Sequence, residues 1–192
     1  DEHGQKVQEA AENRGVTPSE HVDEYVLQFI KLWVKLNIKY DDFIRTTETR
    51  HTKRVQDMLN ALWEKDEIYQ DEYEGSYSVS EERFITDKEM EEGDFGKIIK
   101  LKEKNYFFKM SKYQDELMKH INDNPDFIKP ESRKNEILGF LSNPLNDLCI
   151  SRPKSRLNWG IELPFDNEYV TYVWFDALLN YITAIGWNKD DK

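Results

Sequence analysis

Through the first 65 residues the apolar positions recur at helical spacing. Val7, Ala10 and Ala11 share one face of a segment from Gln5 to Arg14, and Gly15 follows as a stop signal. Thr17-Pro18-Ser19-Glu20 reads as a cap with Pro at the first helical position, and Val22, Val26, Phe29, Ile30 and Trp33 continue the pattern. Residues 37–47 connect to a third predicted helix over 50–65, with Val55, Leu59 and Leu62 inward.

The period changes at about Ile68. Tyr69, Tyr73, Tyr77 and Val79 sit among polar residues at even spacing, a strand signature. Acidic residues 89–94, with Gly93 and Gly96, mark an exposed loop, and 98–101 and 105–109 predict two more short strands. Ser111 is expected to cap a helix through residue 122, with Gln114 in the capping-box position. Asn124-Pro125 and Lys129-Pro130 bracket a short linker, and residues 131–141 predict another helix. Residues 147–151 and 159–163 predict short strands. The clearest strand is 169–175, Tyr-Val-Thr-Tyr-Val-Trp-Phe, running directly into a helix from Asp176. A buried strand feeding a helix is the unit of parallel α/β sheets, so the fold class expected is α/β. Ligands of such sheets lie beyond the carboxyl ends of the strands, which directs attention to residues 174–181.

Composition narrows this picture. Charged residues make up 34% of the 192 and hydrophobic ones 38%, but 10 Tyr, 10 Phe and 5 Trp argue for a packed core. No apolar run reaches the roughly 20 residues of a membrane helix. No basic-then-apolar leader is visible, and no initiator Met, so the numbering is expected to start inside a longer protein. The net charge of −11 speaks against broad nucleic-acid binding, DNA included. Cys149 is the single cysteine, which excludes an internal disulfide and a Cys-x-x-Cys zinc site and makes a reducing, cytoplasmic setting the default.

Several stretches, in order, resemble methionyl-tRNA synthetases of bacterial type: Asp1-Glu2-His3-Gly4-Gln5-Lys6; Asn37-Ile38-Lys39-Tyr40-Asp41-Asp42-Phe43; Tyr106-Phe107-Phe108 with Ser111-Lys112-Tyr113; Ile150-Ser151-Arg152; Asn158-Trp159-Gly160; and Tyr172-Val173-Trp174-Phe175-Asp176-Ala177. The resemblance implies part of a Rossmann-like class I synthetase catalytic domain interrupted by a connective-peptide insertion. By it, residues 1–60 end the first half of the catalytic domain, 61–143 form the insertion, and 144–192 begin the second half. It implies activation of L-methionine by ATP and Mg2+ to methionyl-adenylate and transfer to tRNA(Met). The family's two ATP-gripping elements, His-x-Gly-His and Lys-Met-Ser-Lys-Ser, are expected outside residues 1–192, so this piece alone is expected to be inactive. Lys109-Met110-Ser111-Lys112-Tyr113 is similar to the second of them but follows an aromatic strand and is assigned to the insertion. Many relatives carry zinc knuckles in the insertion; the matching stretch from Tyr77 to Lys97 has no cysteine, and a metal-free knuckle is expected.

A methionine pocket needs an anion for the ammonium and an aromatic or small apolar wall for the thioether. The resemblance carries over Asp1 as the ammonium partner and Arg152 as a second polar group, with His3 either touching substrate or capping a helix. Trp174, Ala177, Leu178 and Tyr181 carry over as the wall. Their i, i+3, i+4, i+7 spacing independently puts them on one face, although such a stripe is more often core than pocket. Lys97, Lys100, Lys102 and Lys104 are read either as facing tRNA or as guarding a sheet edge. Alternatives are another class I synthetase or a non-catalytic tRNA-binding module. The cysteine enzyme would need zinc ligands, and the leucine and valine enzymes a larger editing insertion.

Overall fold

The structure is a computed structural model that describes residues 1–78, 80, 83–85, 90–91 and 93–186. Helices α1 (Gln5–Arg14), α2 (Pro18–Lys35) and α3 (Thr49–Glu64) come first. The cap read at Thr17 is a full capping box. The Thr17 hydroxyl accepts from Glu20 N at 3.2 Å, and the Glu20 carboxylate accepts from Thr17 N at 2.8 Å. On α3, His51, Val55 and Leu59 fall at i, i+4, i+8 and are fully buried.

The first sheet has strand order β2-β1-β3-β4, from β1 (Ile68–Ser78), β2 (Arg83–Ile85), β3 (Ile98–Phe108) and β4 (Leu148–Cys149). β1 and β3 pair antiparallel without a break from Ile68↔Phe108 to Ser78↔Ile98. The two short strands expected over 98–109 are therefore one. Lys102 and Lys104 stand opposite Glu74 and Glu72, so cross-strand charge pairing carries the ladder through the polar middle. Of the stretch expected to form a metal-free knuckle, Val79, Glu81, Glu82, residues 86–89 and Glu92 lie outside the described residues.

A 3-10 turn (Met110–Tyr113) leads into α4 (Gln114–Asp123), and α5 (Glu131–Leu141) follows. Ser111 does not cap a helix. Its N–H and hydroxyl both donate to Asp147 Oδ1, at 3.1 and 2.6 Å. Gln114 donates to Leu141 O and Asn143 O and accepts from Leu145 N, so it ties the start of α4 to the end of α5 and the loop after it instead of closing a capping box.

The second sheet, β5-β7-β6, is built from β5 (Ser151–Pro153), β6 (Glu162–Leu163) and β7 (Asp166–Thr171). Then come α6 (Val173–Leu178) and α7 (Asn180–Ala184). The strand expected over 169–175 ends at Thr171. Tyr172 N leaves the ladder for Ile150 O at 2.8 Å, and Phe175 N and Asp176 N donate to Tyr172 O, so Trp174 and Phe175 are helical. Every described pairing is antiparallel, where the strand-to-helix step had pointed to a parallel sheet. The strand does feed a helix, but its hydrogen-bonded neighbours in this chain run against it.

One core joins these parts. Val55 and Leu59 of α3 pack with Ile68 of β1, Tyr106 of β3, and Ile150, Ile161 and Leu163 around the second sheet. Nonlocal burial of this kind is the main stabilising term, at about 25 cal/mol per Å² of apolar surface.

Candidate functional site

The segment 1–4 is clamped from three sides. Glu2 N donates to Thr46 Oγ1 at 2.9 Å, and Arg45 Nε donates to Glu2 Oε1 at 2.7 Å. The Trp159 indole N–H donates to Glu2 O at 2.6 Å, and Gln8 Oε1 accepts from Asn158 N and Trp159 N. Gly4 turns the chain into α1 with φ of 110°, a conformation that an L side chain rarely adopts. Asp1 is exposed and lines a cleft of about 380 Å³ with residues of α1, α2 and 43–45, among them Tyr25, Phe29 and Trp33; none of Trp174, Ala177, Leu178 and Tyr181 lines it.

His3 is buried. Its Nδ1 lies 2.5 Å from Asp176 Oδ2, and its ring meets Trp159 edge-on at 5.3 Å. Asp176 Oδ1 lies 2.7 Å from His51 Nε2, and His51 Nδ1 lies 3.3 Å from Thr183 Oγ1. Burial pushes the Asp176 carboxyl up, but the hydrogen bonds from His3 and His51 outweigh it and hold the group below the usual carboxylate range. Spacing and motif order alone single out neither Asp176 nor His51 as a site residue. The available signal was a histidine in register with Val55 and Leu59 on the inward stripe of α3.

Trp174, Ala177 and Leu178 lie on α6 and Tyr181 on α7, beyond the break at Leu179. Trp174 is 54%, Leu178 61% and Tyr181 76% exposed, and Ala177 is half-buried. The stripe is therefore an open wall, not core. Arg152 departs from expectation. It is 3% exposed, with its guanidinium 4.3 Å from the Tyr172 ring and 5.6 Å from Tyr77, and it donates to Ser151 O at 2.7 Å. It lies in the interior, stacked against the residue that begins the turn into α6, and does not present an open polar end to the wall.

Lys100, Lys102 and Lys104 are exposed at alternate positions of β3, with Lys97 exposed just before it. Lys100 donates to Ser76 Oγ at 2.9 Å, and Lys102 pairs with Glu72 and Glu74 at 3.2 and 4.0 Å. The lysines of the Lys-Met-Ser-Lys stretch are also engaged: Lys109 donates to Asp66 O at 2.6 Å, and Lys112 pairs with Glu67. Among the described residues no helix is long and apolar enough to cross a membrane, and no group of three or more His, Cys, Asp or Glu is arranged to hold a metal ion.

The chain belongs to the class I tRNA synthetases: it matches the family described as "tRNA synthetases class I (M)" over residues 1–93 and 95–192. It is similar to the methionine–tRNA ligases of Clostridium acetobutylicum, at 51% identity over 196 residues, and Clostridium tetani, at 50% over 197. Each match covers 100% of this chain, which spans 30% of the length of these curated relatives. The Mycobacterium tuberculosis methionyl-tRNA synthetase in complex with methionyl-adenylate superposes with a TM-score of 0.90 at 38% identity, over 100% of this chain and 39% of that one. The expectation of an α/β class I synthetase catalytic region holds.

Proposed function

We propose that the chain carries the methionine pocket and the connective insertion of a cytoplasmic methionine–tRNA ligase, which activates L-methionine with ATP and Mg2+ and transfers it to tRNA(Met). The observation that carries this reading is the open face of Trp174, Ala177, Leu178 and Tyr181, held on α6 and α7 by the buried link from Asp176 to the Asp1-Glu2-His3-Gly4 segment. An exposed indole and phenol flanking a small residue suit a flexible thioether, and the Asp1 carboxylate suits an ammonium. Arg152 enters as a support beneath Tyr172; a direct contact with substrate would need it to leave that stack.

The domain reading keeps residues 1–60 and 144–192 as catalytic and 61–143 as insertion. Lys97 and Lys104, exposed on the insertion, are its candidates for steering tRNA, with Lys100 and Lys102 partly spent on neighbours. Neither ATP-gripping element occurs in the chain, so no residue here is assigned to ATP or Mg2+, and residues 1–192 by themselves are expected to form no adenylate. Zinc has no part in the reading, and neither does a membrane or DNA.

The test is pyrophosphate exchange by the full-length protein with each amino acid in turn, with calorimetric titration of methionine into the native protein and W174A. Exchange with methionine alone, and a dissociation constant raised at least about tenfold in W174A, are expected. Exchange driven by another amino acid, or equal affinity in W174A, would refute the assignment.

A further inference from the structure

Asp176 lies on α6 between Trp174 and Ala177, yet its side chain is 0% exposed. Both carboxylate oxygens are engaged by imidazoles from distant parts of the chain, His3 at 2.5 Å and His51 at 2.7 Å. His51 reaches on to Thr183 of α7, whose hydroxyl donates to Leu179 O at 2.9 Å. His3 is backed by Trp159, whose indole holds Glu2. One carboxylate thus ties together the 1–4 segment, α3 and the α6–α7 pair. Successive residues of a helix are about 100° apart, so pinning Asp176 sets the azimuth of Trp174 and Ala177. An ion held by two hydrogen bonds in the interior resists displacement, because either bond broken leaves charge unpaired.

We propose that Asp176, braced by His51, is a positioning residue for methionine: it fixes the Trp174–Ala177 wall at a set distance and angle from Asp1. This rests on the pocket reading given above. Neither Asp176 nor His51 is exposed enough to touch substrate, so both act through α6 and the 1–4 segment. Misplacing a substrate-positioning group by about an ångström can cost about a hundredfold in rate.

The full-length protein tests this by methionine-dependent pyrophosphate exchange, with KM measured separately for methionine and ATP. His51→Leu and Asp176→Asn are expected to raise the methionine KM at least about tenfold while the ATP KM stays within about twofold. His51→Gln places an amide donor near the imidazole Nε2 and is expected to recover most of the loss. An unchanged methionine KM in folded variants, or equal rises in both KM values, overturns the proposal. Should His51→Leu and Asp176→Asn fail to fold, Asp176→Glu decides: its longer carboxylate must shift α6, and an unchanged methionine KM there defeats the positioning role. W174A run in parallel separates the two claims. A raised methionine KM in W174A alone defeats the positioning role and leaves the pocket reading intact; no rise in W174A removes the pocket and the positioning role with it.

Discussion

Arg152 is a cation held in the interior by two phenol rings and a carbonyl. A guanidinium suits that slot because it is planar and weakly hydrated; an ammonium is neither. Arg152→Lys is therefore expected to destabilise the fold by about 2 kcal/mol, read as a lowered urea midpoint. Asp176 and Asp147 make a second kind of residue-scale prediction. Burial raises both, and hydrogen bonds, from the two imidazoles in one case and from Ser111 and Tyr69 in the other, bring both below the ordinary carboxylate value. Their contribution to stability is thus fully present above the unfolded-state value, about 4, and is lost as pH falls through the depressed folded values. Urea midpoints measured against pH should hold steady down to that value and then drop, with a shallower drop in Asp176→Asn. At this scale the sequence was only half legible. The stripe proposed as the wall was legible as a pattern, since its four members lie within eight residues. The carboxylate behind it could not, because its partners lie 173 and 125 positions away and nothing local pairs them.

Elements were legible where their ends are set by neighbours in sequence. Thr17 and Glu20 close α2 three residues apart, and Thr17→Ala should destabilise by about 1 kcal/mol, measured by chemical denaturation. They were misread where distant partners decide. Lys102-Glu103-Lys104 has no strand character of its own and becomes strand because Glu74, Tyr73 and Glu72 face it on β1. Ser111 has the composition of a cap but is taken by Asp147, 36 residues on. Trp174 and Phe175 have strong strand propensity, yet the chain leaves the ladder when Tyr172 N finds Ile150 O, and tertiary hydrogen bonding overrides propensity.

At the scale of the molecule, the α/β class was legible from motif order, but the burial that joins the proposed parts was not. Val55 and Leu59 lie before the boundary proposed at residue 60, Ile68 and Tyr106 inside the proposed insertion, and Ile150, Ile161 and Leu163 after it, all in one cluster. Leu59→Ala should open a void there and destabilise by roughly 2–5 kcal/mol, with both sheets lost in a single transition by hydrogen exchange. The shared cluster also limits how such chains can be recombined. A hairpin borrowed from a relative will seat only if the residues standing at 68 and 106 match the host's helix and return strands in size, so chimeras cut at the apparent borders are expected to fail where ones that transplant the contact set together succeed.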